Sequence, residues 1–231
     1  MRYVSVIAVC ALSVIAQAMT TQASAATPQN PAIVEVFTSQ GCSSCPPTDA
    51  NVRALAGRPD VLALSFAVTY WDRLGWKDTF GQDIFTRRQR DYEKPLHEAS
   101  PFTPQVIVDG RMDTVGNNRA DIEKLIAQSN RTGGPAVRLG TDSVSVAAGQ
   151  GDADVWVVRY DPNTVSVPVS RGENAGATIQ VRNAVHELIM VGHWDGTAAQ
   201  YKIPKAHESG LKTAVLVQTH VGGPILSMAR D

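Results

Sequence analysis

Cysteines are scarce in this sequence, and their positions exclude several kinds of site. Of the three cysteines, Cys10 lies in an apolar N-terminal stretch, which leaves Cys42 and Cys45 for the rest of the chain. A structural zinc site built on these two thiolates would need two further ligands. No second cysteine pair exists, and the five histidines show no close ligand spacing. We therefore expect no resident metal, and we expect no cofactor.

An excess of charge of one sign is also missing. The formal net charge is −1 and no run of like charges occurs, whereas a nucleic-acid partner favours a basic excess. After the N-terminal stretch, no apolar run approaches the roughly 20 residues that a membrane-spanning helix needs. We therefore expect neither a nucleic-acid partner nor membrane association of the mature form.

The first 25 residues have the pattern of a secretory signal peptide. Basic Arg2 is followed by an apolar stretch and then by Ala23-Ser24-Ala25, which is a small-residue cleavage pattern. The apolar stretch of about 16 residues contains polar side chains and is short for a membrane anchor. We predict cleavage near Ala25 and an exported protein, in the periplasm or secreted. In such an oxidising compartment a lone cysteine pair tends to form a disulfide.

Apolar runs and helical stretches alternate over the first half of the mature chain. Strand patterns at 32–38, 61–68 and 104–110 alternate with helical patterns at 47–57, 83–96 and 118–129. This order predicts an α/β layer with a mixed sheet.

The second half has a different pattern of predicted secondary structure. Beyond a Gly/Pro joint at 131–136, short β-type runs separated by turns predict an antiparallel, sandwich-like arrangement. We therefore predict a signal peptide at 1–25, an α/β domain at 26–132 and a β-rich domain at 133–231. The last part could instead be an elaboration packed on the first sheet.

The stretch "FTSQGCSSCPPTD" (37–49) places two cysteines between a predicted strand and a predicted helix. That setting is typical of a redox-active thiol pair. Unpaired N–H groups at the helix start favour the thiolate of Cys42, and Cys45 is placed to resolve a mixed disulfide. Pro46 and Pro47 are compatible with the first helical turn, whose N–H groups have no intrahelical partner. With Ser44 as the cap, Cys45 is the first helical residue.

Thr103 and Pro104 stand directly before a predicted strand. We predict a cis bond between them and a loop that lies against the cysteines and offers backbone groups to an extended peptide. Gly41, Ser43 and Ser44, around the two cysteines, are expected to contact the same substrate.

Two further segments have several interpretations. Residues 69–81 concentrate aromatic side chains among charged ones, and they either wall the cysteine site or bury the junction between the two domains. We favour the second interpretation, since an added β domain needs an apolar surface on which to pack. The segment 171–176 (RGENAG) is interpreted as a polar β-turn, and His186 and His193 as ordinary residues of the β-rich domain.

The motifs resemble known families. "VFTSQGCSSC" with "TPQVIVDGRMDTVGNNRADIEKLI" resembles the glutaredoxin branch of the thioredoxin fold. The segments "YWDRLGWKDTF", "RQRDY", "SRGENAGATIQVRN" and "GPIL" extend the likeness, over nearly the whole mature chain, to an exported bacterial family called domain-of-unknown-function family 1223. The resemblance implies a thioredoxin-like fold of the glutaredoxin type. Ala67 and Thr69 stand where that family often carries His and Asp, so a metal or acid–base role of that pair is excluded.

Glu35 acquires a candidate role through this resemblance. Thioredoxins carry a buried acid in the comparable strand that moves protons for the resolving thiol. Glu35 lies in an apolar strand seven residues before Cys42, and burial would raise its pKa as a general base requires. A Glu35 that faces solvent or bonds to a loop is the alternative.

The sequence thus predicts an exported thiol–disulfide oxidoreductase that acts on protein or small thiols. Cys42 attacks, Cys45 resolves, and Thr103 and Pro104 contact the substrate. One alternative is a non-catalytic binding module in which the Cys42–Cys45 disulfide is structural and the β-rich domain carries recognition. Another is a copper carrier that uses the two thiolates alone.

Overall fold

The computed structural model describes residues 26–131 and 133–231. The predicted signal peptide (1–25) and residue 132, at the predicted domain boundary, lie outside the described residues. Over the described ranges, no helix is long and apolar enough to span a membrane.

The secondary structure follows the predicted order in the first half and adds strands in the second. The elements are β1 Ala32–Thr38, α1 Pro46–Leu55, β2 Val61–Ala67, a 3-10 turn Asp72–Leu74, α2 Asp83–Asp91, β3 Gln105–Val108, β4 Met112–Thr114, α3 Arg119–Ala127, β5 Val137–Leu139, β6 Ser143–Val146, β7 Ala153–Pro168, β8 Thr178–Trp194, β9 Ala199–Lys202, β10 Lys212–Gln218 and β11 Ile225–Arg230. The sequence did not predict β9 and β11. The helix α2 is shorter than predicted, since it ends at Asp91, four residues before Pro95.

Eight strands form one mixed sheet in the order β11-β10-β7-β8-β2-β1-β3-β4. β1 is parallel to β2 and antiparallel to β3, which confirms the predicted mixed α/β sheet. The strands β7, β8, β10 and β11 continue the same sheet in antiparallel pairs. The predicted β-rich half therefore shares a sheet with the first half.

A short junction joins the two parts of this sheet. β2 and β8 are paired at Ser65 and Ala184. The Ser65 hydroxyl donates to the carbonyl of Arg182 at 2.8 Å, and the Asn183 amide donates to the carbonyl of Ala63 at 2.7 Å. Side chains thus supply hydrogen bonds where the backbone ladder is short.

The antiparallel strands β5, β6 and β9 form a second, separate sheet. Its apolar side chains share a buried cluster with β7 and β10, in which Val144, Val155, Trp194 and Val215 are almost fully buried. The C-terminal half therefore has two antiparallel layers, one of which belongs to the large sheet. The domain boundary at residue 132 stays a prediction.

Both faces of β1 are covered, which fixes the direction of each of its side chains. Val34 and Val36 pack with α1 and α3 on one face, whereas Ile33 and Phe37 pack with α2 on the other. Because alternate residues of a strand point to opposite faces, Glu35 must share the α2 face.

Glu35 meets a buried cation on that face. Its carboxylate accepts a hydrogen bond from Arg88 Nε at 2.6 Å and another from the hydroxyl of Tyr92. The Glu35 and Arg88 side chains are 1% and 5% exposed. Arg88 also lies over the Trp156 ring at 5.7 Å from its centroid, so this pair connects the α/β core to β7.

Arg88→Met should destabilise the protein by about 3–5 kcal/mol, because it leaves a buried carboxylate without its cation. The double variant Glu35→Gln/Arg88→Met should recover part of that loss, since neither remaining group carries a charge. Urea unfolding of both variants measures the change. Arg90→Met, at an exposed position of the same helix, is the matched control, and an Arg88→Met midpoint equal to that of the control would contradict the expectation.

Candidate functional site

Cys42 and Cys45 form a disulfide at the start of α1. Their Cα atoms are 5.5 Å apart, and neither residue is exposed to solvent. Cys45 is the N-cap of α1, with Pro46 and Pro47 in the first turn. The helix therefore begins one residue later than a Ser44 cap would give. Cys42 precedes the cap and accepts a turn hydrogen bond from the Cys45 N–H at 3.2 Å.

The predicted proline loop lies against the disulfide. The Thr103–Pro104 bond is cis, as predicted. The Thr103 hydroxyl donates to Cys42 Sγ at 3.3 Å and accepts from Trp71 Nε1 at 2.7 Å. The Ser44 hydroxyl lies 3.3 Å from Cys42 Sγ and 3.4 Å from the Thr103 carbonyl oxygen. The structure thus brings together the cysteines, Ser44 and the proline loop from distant parts of the sequence.

The segment 69–81 holds the loop that precedes Cys42. Gln40 Oε1 accepts from Trp76 Nε1 at 3.0 Å and from the Thr79 N–H at 3.1 Å. The Asp78 carboxylate accepts from the Gln40 N–H at 2.7 Å. Trp76 and Phe80 also pack on a cluster of β8 side chains. This segment therefore contacts the cysteine loop and the C-terminal half at the same time.

The hairpin loop between β7 and β8 (residues 169–177) is hydrogen-bonded to the loop that carries Cys42. Glu173 accepts from the N–H and the hydroxyl of Ser43 at 3.1 and 2.7 Å. The Asn174 side chain donates to the carbonyls of Gln40 and Cys42, both at 2.9 Å. Two hydrogen bonds from Ser43 lower the pKa of Glu173 below its usual range. The hairpin loop therefore provides an acceptor, Glu173, and a donor, Asn174, for hydrogen bonds with the cysteine loop.

The backbone of the hairpin loop requires a glycine at one position. Gly172 has a φ of +77°, and a Cβ built on Gly41 would meet Trp71 rather than the hairpin loop. A glycine adopts such a φ without steric cost. The sequence predicts only a turn at 171–176, because Cys42 and Asn174 are separated by 132 positions and no local pattern signals their contact.

Glu35 does not reach the cysteines. It lies on the α2 face of β1, whereas α1 packs on the opposite face. The buried acid on the α1 side is Asp49, which is 9% exposed and lies one helical turn after Cys45. Sequence analysis missed Asp49. The signal available was its i,i+4 spacing from Cys45, which places both side chains on one face of the helix.

Asp49 borders a small enclosed cavity with other polar groups. The cavity has a volume of about 10 Å³, which matches roughly one water. It is lined by Thr38, Gln40, Asp49, Ser65, Ala67, Asp78, Phe80, Ile179 and Val181. Burial raises the pKa of Asp49 to about 7, and the Thr38 hydroxyl and the Arg53 charge offset part of that rise. Burial also raises the pKa of Asp78.

Fold and site together define an α/β protein with a mixed sheet and a covered disulfide at a helix start. A sequence profile described as "Protein of unknown function (DUF1223)" matches residues 33–218. The chain therefore belongs to this family, as the sequence motifs indicated. A search of curated proteins gives no match.

Two solved structures resemble the chain. The crystal structure of protein AGR_C_4864 from Agrobacterium tumefaciens is 30% identical, with a TM-score of 0.71, over 86% of this chain and 92% of that one. HBP35 of Porphyromonas gingivalis is 11% identical, with a TM-score of 0.55, over 87% of this chain and 74% of that one. The second likeness concerns the fold alone.

The raised pKa of Asp49 should make stability depend on pH. The folded state retains a proton that the unfolded state, with a carboxyl pKa near 3.9, has already released, so stability falls as pH rises from about 4 to 7. Relative to Asp49→Asn, the wild type should lose roughly 2–3 kcal/mol of unfolding free energy between pH 5 and pH 8. Urea titrations at both pH values measure this difference. Asp121→Asn, at an exposed position of α3, should show no such divergence; equal pH profiles for Asp49→Asn and wild type would contradict the assignment.

Proposed function

We propose that this protein is an exported thioredoxin-like thiol–disulfide oxidoreductase, with Cys42 and Cys45 as its redox pair. The observation that carries the proposal is the contact between the Thr103 hydroxyl and Cys42 Sγ at 3.3 Å, directly before Pro104. The cysteine pair lies at a helix start and the proline loop faces it. Cys42 Sγ therefore lies next to the loop that would bind an extended peptide.

The proposed exchange transfers two electrons between this protein and a partner. In the reduced protein, the Cys42 thiolate attacks one sulfur of a partner disulfide and the other partner sulfur leaves as a thiolate. The Cys45 thiolate then attacks Cys42 Sγ, which releases the second partner thiol and restores the Cys42–Cys45 disulfide. The partner is reduced and this protein is oxidised; the reverse sequence oxidises a partner dithiol.

Asp49 replaces Glu35 in this proposal as the buried acid near the resolving cysteine. It lies on the same helix face as Cys45, and its pKa of about 7 lets it accept or return a proton at neutral pH. Glu35 is held by Arg88 and Tyr92 on the other face of the sheet. It therefore contributes to folding rather than to proton transfer.

Substrate access requires the hairpin loop to move. Both sulfurs are inaccessible to solvent, whereas Ser43 and Ser44 are exposed. Displacing Glu173 and Asn174 would uncover the loop from residue 40 to Cys42 next to Thr103. We propose that partner binding, or spontaneous opening, displaces the hairpin loop before the exchange.

A structural disulfide is the second candidate, and the complete burial of both cysteines favours it. In that case the protein is a binding module and the bond holds the start of α1 against the proline loop. The redox potential separates the two candidates, because a disulfide that resists the glutathione pool cannot exchange with it.

Equilibration with glutathione and dithiothreitol buffers, approached from both redox states, should give a potential between about −120 and −270 mV, the span of known exchange proteins. Alkylation and mass spectrometry of the wild type quantify the dithiol, and the Cys42→Ser/Cys45→Ser variant is the blank. A potential below about −300 mV would contradict an exchange function and leave the structural disulfide.

Loosening the hairpin loop should speed the reduction of the disulfide. Asn174→Ala removes two hydrogen bonds to the cysteine loop, and we expect reduction by dithiothreitol to be about tenfold faster, since each bond contributes about 0.5–1.5 kcal/mol. Arg171→Ala, at an exposed position of the same loop, should leave the rate unchanged. Equal rates for Asn174→Ala and wild type would show that this loop does not control access.

A further inference from the structure

Two histidines and two aspartates converge at the end of the β7–β8 pair that lies away from the cysteines. Asp154 and His193 are directly opposed across β7 and β8. Asp154 is also opposed to Gln218 of β10, and His220 follows two residues later. His220 lies in the turn after β10, where its side chain meets Asp152 and Asp154, so the two histidines lie on both sides of Asp154.

The ligand atoms of three of these side chains are close to one another. One atom from each of Asp152, His193 and His220 lies within 4.8 Å of the other two. His193 Nε2 is 3.6 Å from the Asp152 carboxylate, and His220 Nε2 is hydrogen-bonded to that carboxylate. Around a tetrahedral Zn²⁺, with bonds of about 2.0–2.2 Å, neighbouring ligand atoms are about 3.3–3.6 Å apart. Small rotations of exposed side chains would reach that spacing.

Asp154 supplies the outer support that a metal-binding histidine needs. Its carboxylate is 2.9 Å from His220 Nδ1 and 3.9 Å from His193 Nδ1. A carboxylate that accepts from Nδ1 holds the proton there and leaves the Nε2 lone pair free for a metal. The Asp154 side chain is 16% exposed, so it is held more firmly than the ligands, and the two imidazole rings stack at 4.7 Å.

We propose that Asp152, His193 and His220 form a binding site for a divalent transition metal such as Zn²⁺, with Asp154 orienting His220. Two imidazoles with one carboxylate suit Zn²⁺, Cu²⁺ or Ni²⁺ rather than Mg²⁺ or Ca²⁺. The ligand side chains are 42–62% exposed. A fourth position therefore faces solvent, as in sites whose metal keeps a water or binds a further ligand.

This site is separate from the cysteines and does not depend on the proposed thiol chemistry. The sequence did not reveal it, since His193 and His220 have no close spacing and Asp152 lies far before both of them in the sequence. The antiparallel pairing of β8 and β10 with β7 creates the proximity.

The test is a calorimetric titration of the oxidised protein, purified without a polyhistidine tag, with Zn²⁺ and with Mg²⁺. The disulfide keeps the cysteine thiolates out of the measurement. We expect one Zn²⁺ per chain and no Mg²⁺ binding at the same concentrations. His193→Gln and His220→Gln should each abolish the one-to-one site, and Asp154→Asn should weaken it about 10- to 100-fold.

His207→Gln is the matched control, because His207 is exposed and lies outside the cluster. Thermal unfolding without metal confirms that each variant is folded, and added Zn²⁺ should raise the melting temperature of the wild type and of His207→Gln alone. The absence of one-to-one binding by the wild type would overturn the proposal. Binding that persists in His193→Gln and His220→Gln, or that His207→Gln weakens equally, would overturn it as well.

Discussion

The short junction between β2 and β8 is the contact on which the position of the β7–β8 hairpin depends, and both candidate sites include residues of that hairpin. At this point Ser65 and Ala184 pair, and the side chains of Ser65 and Asn183 complete the hydrogen bonding. The junction fixes the β7–β8 hairpin against the α/β layer and thereby sets its loop over the cysteines. The same hairpin extends about 50 Å at roughly 3.3 Å per residue and ends at His193. The β7–β8 hairpin therefore has the loop that contacts the cysteine segment at one end and the histidine cluster at the other.

Local patterns in the sequence account for the α/β layer. The apolar runs of β1 and β2 and the proline pair of α1 are each recognisable within a few residues, so the positions of these elements could be predicted. The contact between the proline loop and Cys42 could also be anticipated, since a strand, Cys-x-x-Cys and helix constrain where an X-Pro loop can lie. The DUF1223 motifs extended this interpretation to family membership, which the profile match confirms.

Contacts between distant strands account for what the sequence did not reveal. The surroundings of Glu35 depend on which helix covers each face of β1. A shift of one residue along a strand would move its side chain to the opposite face. The hydrogen bonds of Glu173 and Asn174 with the cysteine loop span about 130 positions. Asp49 has a local signal in its i,i+4 spacing from Cys45, but its burial depends on distant β8 residues, Ile179 and Val181, that line the same cavity. In each case the contact depends on strand register or on the order of the layers, and neither can be determined from a short stretch of sequence.

Burial of the disulfide is compatible with exchange chemistry because the covering contacts are few. Asn174 contributes two hydrogen bonds to backbone carbonyls, each worth about 1 kcal/mol net, and the Glu173–Ser43 contact is exposed to solvent. Opening a loop held in this way costs far less than unfolding a domain, whose stability is typically about 5–15 kcal/mol. The β7–β8 ladder and the junction with β2 lie outside the covering contacts and can persist while the loop moves. Under the proposed exchange function, a local equilibrium at the hairpin loop would set access to Cys42, and a partner that binds the uncovered cysteine loop would shift that equilibrium by mass action.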